Sequence, residues 1–434
     1  MQPSDLQITN DLLDFIEKSP TCFSAVQNVQ ARLDAAGFTR LCEQNPFVLQ
    51  PGGKYYLTRN LSSLLAFQLP EAPVTGFMVA ASHSDSPGFK LKTDCELPAC
   101  EHYVRLNTER YGGGILSSWF DRPLSLAGRA IVRENGQFVT RVVDLERDLA
   151  VIPNVCIHFN RTINDGYKYN AAVDTLPLLC EAQDKGVVRR LVAKRLNVAE
   201  DDVAATDLYL YVRPRGCIFG ADDAFFLAPR IDDLQCAFAT LLGFLQSAPT
   251  SAVSVYALFD NEEVGSSTKQ GAGSGLLFDA LTRIADALGK PLSLLPSSMM
   301  LSCDNGHAKH PNHPELSDGQ NAPHMNGGVV IKHNANQHYT TDAVSEALFM
   351  EICRRADVPV QHFANRSDLA GGSTLGSISN TRVAMNTVDV GLAQLAMHSA
   401  CETAGVADTA ALVRAASAFY NTAIRVEADG VYGI

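Results

Sequence analysis

Apolar residues follow two rhythms along this chain. Near the start they fall at helical spacing. Leu12, Leu13, Phe15 and Ile16 make one stripe; Phe23, Val26, Val29 and Leu33 make a second, which Gly37 ends. Residues 55–58 and 64–69 read as two strands joined by a polar turn. Residues 74–81 form an almost continuous apolar run between turn residues, the mark of a strand buried on both faces.

From about residue 92 to 228 the pattern shortens. Residues 130–133 and 137–143 flank Asn135-Gly136, a hairpin signal. A helix is expected near 187–196 and a strand over 208–212. From 229 helices and buried strands alternate again: helix 234–245, strand 253–259, helix 275–288, strand 298–303, helix 343–356 and strand 383–390. A final helix is predicted from Asp408, as N-cap, to about Val426. This alternation predicts an α/β fold, with a mainly parallel sheet covered by helices on both faces. The expected organisation is one α/β domain, 1–91 plus 229–434, interrupted by a β-rich domain over 92–228.

Composition narrows the partners. The formal net charge is −12 over 434 residues, which argues against nucleic acid or an anionic membrane, since both select basic faces. No apolar run approaches the roughly 18 residues of a membrane span. The eleven cysteines are scattered without a C-x-x-C pair. That disfavours a disulfide framework and predicts a reducing cytoplasm.

The candidate chemistry lies at strand ends. Residues 74–81 run into His83 and Asp85, 253–259 into Glu262 and Glu263, and 298–303 into Asp304; 383–390 is followed after a short loop by His398. Ligands of open α/β sheets bind outside the carboxyl ends of the strands. Asp232 is a fifth candidate, just before the helix at Leu234. Any one of these has an ordinary explanation as a capped turn or a satisfied polar residue; their recurrence in one sheet carries the reading. Imidazole with carboxylate suits zinc, cobalt or manganese. One carboxylate can bridge two ions about 3.5–4 Å apart with a water between them, leaving another carboxylate for proton transfer. Asp85 is placed to accept the free ring N–H of His83.

Six segments resemble the aspartyl aminopeptidases, a family of zinc metallopeptidases: ASHSDSPGFKLK (81–92), YGGGILSSWFDRPLSLAGR (111–129), APRIDDL (228–234), LFDNEEVGS (258–266), SCDNGHAKHPN (302–312) and QLAMHS (394–399). They follow the family's order across nearly the whole chain. The resemblance implies two zinc ions per subunit. His83, Asp232 and Asp304 would ligate one; Asp232, as the bridge, Glu263 and His398 the other. Glu262 would be the catalytic carboxylate, working on a hydroxide between the metals. His307, Lys332 and Tyr339 would contact substrate. His158 would enter a neighbouring subunit's active site from an inserted dimerisation domain, with dimers building a tetrahedral dodecamer. The implied reaction removes single N-terminal residues from peptides, with Asp or Glu preferred.

Two rival readings stand beside this one: a di-metal hydrolase of another bond, such as a phosphoester, and a non-catalytic shell that kept the fold. His310 and His313 recur at intervals of three with His307, but among Pro311 and Pro314 they read as loop residues.

Overall fold

The computed structural model describes residues 2–182, 185–290 and 292–434. Its largest sheet has nine strands. The centre is four parallel strands in the order Ala252–Phe259, Gly76–His83, Met299–Cys303 and Asn386–Gly391. Ser63–Gln68 and Val329–His333 flank this centre antiparallel to it. Thr39–Arg40, Lys54–Arg59 and Val360–Ala364 complete the edges, so the sheet as a whole is mixed.

Alternation explains why the central strands read as unbroken apolar runs. Phe77, Val79 and Ala81 pack with Leu277, Leu281 and Ile284 of the helix Leu276–Ala287. Met78 and Ala80 face the other way, into a core with Phe238 and Phe244 of the helix Ile231–Gln246 and Leu412 and Phe419 of the helix Val406–Tyr420. Both faces are buried, so neither set can be polar.

A second, six-stranded sheet is antiparallel throughout, in the order Gln137–Asp144, Leu124–Glu134, Val203–Val212, Gly88–Ala99, Tyr103–Tyr111 and Leu178–Glu181. The helix Val187–Leu196 closes its core with Val188, Val192 and Ala193. Strand Phe225–Ala228 pairs with Glu402–Gly405 in a third sheet that also holds Ala393–Leu395 and Gly306–His307. Among the described residues no helix is long and apolar enough to cross a membrane.

Two expectations fail near the C-terminus. The last helix spans Val406–Tyr420, and Asp408 lies inside its first turn. The buried Asp408 carboxylate accepts the backbone N–H groups of Asn326 (2.6 Å) and Gly328 (2.8 Å) instead of capping its own helix. Strand Glu402–Gly405 fixes the start of the helix, and Val426 belongs to a hairpin, Arg425–Ala428 with Val431–Gly433. The predicted strand 383–390 is Asn386–Gly391.

Candidate active site

Three of the parallel central strands end side by side, and their ends carry the candidate residues. His83 is the last residue of Gly76–His83. Asp304 directly follows Met299–Cys303, where Gly391 lets the neighbouring strand approach: a Cβ there would sit 1.9 Å from the Asp304 carbonyl oxygen. Ala252–Phe259 leads into a turn at Asn261 and the 3-10 turn Glu262–Val264. Asp232 follows Arg230, and His398 sits in the loop before Glu402–Gly405. Arg230, Asn261 and His398 all hold left-handed backbone, at φ of 58°, 62° and 67°. Asn enters this region readily, whereas Arg and His do so less often, and such positions cluster at functional sites.

The side chains form two groups sharing one member. Asp232 Oδ1 lies 3.3 Å from His83 Nε2, which is 3.9 Å from Asp304 Oδ1. Asp232 Oδ2 lies 3.4 Å from His398 Nε2, which is 3.4 Å from Glu263 Oε2. The two oxygens of one carboxylate thus face two different imidazoles. Asp232 Oδ1 and Glu263 Oε1 are buried with no hydrogen-bond partner.

The electrostatics show a centre short of positive charge. Burial above all, with His83 acting against it and Asp304 and Asp232 adding to it, pushes the Glu262 carboxyl up to about 8. Burial also drives Glu263 and Asp233 well above the carboxylate range. At Asp232 burial works in the same sense, but the imidazoles of His398 and His83 outweigh it and hold the group below that range. Burying this many carboxylates is costly unless cations compensate them. Orphaned oxygens, two imidazoles and no thiolate suit zinc well.

Neighbouring groups hold the cluster in place. His83 Nδ1 is 3.0 Å from the backbone oxygen of Asp85, while the Asp85 carboxylate is 3.5 Å away. The ring nitrogen therefore meets the Asp85 carbonyl in place of the expected side chain. The Asp85 carboxylate does different work: it accepts the backbone N–H of Glu262 (3.1 Å) and of Glu263 (3.2 Å), and the Tyr111 hydroxyl (2.7 Å). His398 Nδ1 is fixed on the Gly113 carbonyl at 3.1 Å. Two groups had no signal in the sequence. Buried Glu402 accepts the backbone N–H groups of Asp232 (3.0 Å) and His398 (2.7 Å), and buried Asp233 accepts that of His83 (3.0 Å). Their sequence neighbours hint at nothing beyond a loop acid.

His307, Lys332 and Tyr339 line the same pocket as Asp232, Glu262, Glu263, Asp304 and His398. Lys332 is buried; its ammonium donates to the Asn305 carbonyl at 2.8 Å and lies 3.9 Å from Asp304 Oδ2. His158 does not line this pocket. It is exposed, in a turn whose neighbours Val155, Ile157 and Phe159 are exposed too.

Residues 15–420 match the family described as Aminopeptidase I zinc metalloprotease (M18). The chain belongs to the M18 aminopeptidases. It is therefore a zinc metallopeptidase that acts on peptide bonds. A Clostridium novyi relative named Probable M18 family aminopeptidase 2 is 42% identical over 428 residues, covering 96% of this chain and 99% of the relative. Among solved structures, the S. cerevisiae mApe1 dodecamer superposes with a TM-score of 0.85 at 30% identity, over 96% of each chain. An M18 aminopeptidase from Thermotoga maritima shares the fold, with a TM-score of 0.85 at 20% identity over 97% of each chain.

Proposed function

We propose that this M18 aminopeptidase holds two zinc ions per subunit and releases acidic residues, Asp or Glu, from peptide N-termini. The observation that carries the reading is Asp232, whose two oxygens face His83 and His398 separately. His83, Asp232 and Asp304 hold one ion; Asp232, Glu263 and His398 hold the other. Cobalt or manganese suits the same donors. Zinc bound there supplies Lewis acidity, activating water and polarising the scissile carbonyl.

The chain's own residues do the rest. Glu262 takes a proton from the attacking water and delivers it to the departing amine nitrogen. The pocket's carboxylates meet the free ammonium of the substrate, which limits cleavage to N-termini. Lys332 is the only lysine or arginine among the described residues lining the pocket, which supports an acidic substrate side chain there, alongside His307 and Tyr339.

The exposed apolar residues around His158 support an interface between copies of the chain. In this reading 92–228 is an inserted dimerisation domain within a mainly parallel α/β domain formed by 1–91 and 229–434. It presents His158 to a neighbouring active site, and dimers build a tetrahedral dodecamer. The dodecamer of the similar yeast protein supports such assembly. The buried free thiols of Cys22, Cys236, Cys303 and Cys353 suit a reducing cytoplasm.

The test is a panel of aminoacyl anilides, with a nitrophenyl phosphate as control, before and after chelation. Glutamyl and aspartyl anilides should be cleaved fastest, zinc should restore chelated enzyme, and the phosphate should survive. Preferential cleavage of leucyl or alanyl anilides would overturn the acidic preference; phosphate hydrolysis alone would overturn the reaction.

A further inference from the structure

A second cluster of metal-binding side chains lies outside this pocket. Strands Val329–His333 and Val360–Ala364 pair in parallel, with Ile331 opposite His362 and His333 opposite Ala364. Val330 and Phe363 pack with Tyr339, on the sheet face that Lys332 shares. Val329, Ile331 and His333 face the opposite way, and Val329 and Ile331 pack with Leu348 and Phe349 of the helix Ala343–Arg355. His362 falls on this second face, beside His333. The first turn of that helix adds Glu346.

Three donor atoms converge there. His333 Nε2 is 3.6 Å from Glu346 Oε1, His362 Nδ1 is 3.3 Å from the same oxygen, and the two ring nitrogens are 3.5 Å apart. A tetrahedral ion with bonds of about 2.0–2.1 Å holds its ligand atoms roughly 3.3–3.4 Å from one another. All three distances lie within a few tenths of an ångström of that edge. Among the described residues Glu346 makes no ion pair with a lysine or arginine; the two imidazoles are its partners. The three side chains keep 26–37% of their surface exposed, which leaves a fourth corner open to water.

We propose that His333, Glu346 and His362 form a third metal site, separate from the catalytic pair, taking a divalent zinc-type ion with water in the remaining position. The donor set of two imidazoles and one carboxylate selects zinc, cobalt or nickel over magnesium or calcium. The site has a structural consequence for the pocket. His333 directly follows Lys332, and Glu346 lies just beyond segment 334–342, which carries Tyr339. An ion joining His333 to Glu346 closes that segment into a loop tied at both ends.

Zinc-loaded wild type, dialysed against buffer with low micromolar free zinc, should carry one ion per chain more than H333A/H362A or Glu346→Gln treated identically. Elemental analysis reads the count. Glu346→Gln changes no side-chain volume and serves if the double variant does not fold. In wild type, raising zinc from trace to the same level should slow backbone hydrogen exchange across 334–342; in Glu346→Gln it should not. Magnesium should leave exchange unchanged in both. Equal zinc counts in wild type and Glu346→Gln would overturn the proposal and leave three residues paired only with one another. So would zinc protection of 334–342 that persists in that variant.

Discussion

Replacing Asp85 with Asn tests whether its carboxylate holds the catalytic turn. The group accepts three hydrogen bonds: Oδ1 from the Glu262 N–H, and Oδ2 from the Glu263 N–H and the Tyr111 hydroxyl. An amide keeps one acceptor and turns the other into a donor. In either flip, one backbone N–H of the turn faces an NH2 group and loses its acceptor. An unsatisfied group of this kind costs about 1–3 kcal/mol, and each surviving bond loses roughly 1 kcal/mol when its acceptor is neutral. The change totals about 3 kcal/mol, placed on the two residues that present Glu262 and Glu263. If half of it appears in the transition state, kcat falls about tenfold; if all of it does, more than a hundredfold. Glu263 belongs to one of the two donor groups, so one ion should loosen and the other stay. Tyr111→Phe removes a single bond to Asp85 and should cost less on both measures. The assay combines kcat on a glutamyl anilide with zinc content after dialysis. An Asp85→Asn enzyme with wild-type kcat and full zinc would refute the argument, since the turn would then keep its place unaided.

Further outcomes follow from the same geometry. Glu262→Gln should fold, keep both zinc ions and lose roughly 10²–10⁴ in kcat; a missing ion would make Glu262 a ligand. Asp232→Ala should weaken both metal sites and His398→Ala mainly one, and a titration in which Asp232→Ala loses a single ion would move the bridge elsewhere. Lys332→Ala should cost roughly ten- to a hundredfold more in kcat/KM on glutamyl than on leucyl anilides; an equal loss on both would reduce Lys332 to a support for Asp304. His158→Ala and Glu262→Gln should each be nearly inactive, while their mixed dimer regains about half of wild-type activity; mixed dimers no better than the parents would show that His158 does not act across subunits.

The central strands were legible because burial on both faces leaves a signature within a few residues, as in 76–83 and 252–259. The residues at their ends were legible for the same reason: a polar residue directly after such a run lies at the sheet's edge. What escaped depended on partners far away in sequence. Glu402 binds Asp232, and Asp408 binds Asn326 and Gly328, contacts that no local periodicity encodes. The role of Asp85 was misjudged similarly. Its ring contact lies two residues away and was anticipated, but the backbone oxygen makes it, leaving the carboxylate for a turn more than 170 residues on. The final helix was overextended because Ile424 and Val426 continue a helical rhythm that the hairpin interrupts.

The two groups around Asp232 draw on His83 and on His398, which lies 315 residues further along the sequence. A polypeptide emerging from the ribosome therefore cannot bring these groups together until His398 has been made. Fragments left by premature termination, or nascent chains stalled midway, lack one histidine and its loop. On the proposed reading, a chain that stops before His398 should be inert as a peptidase, with that segment acting as a safety catch.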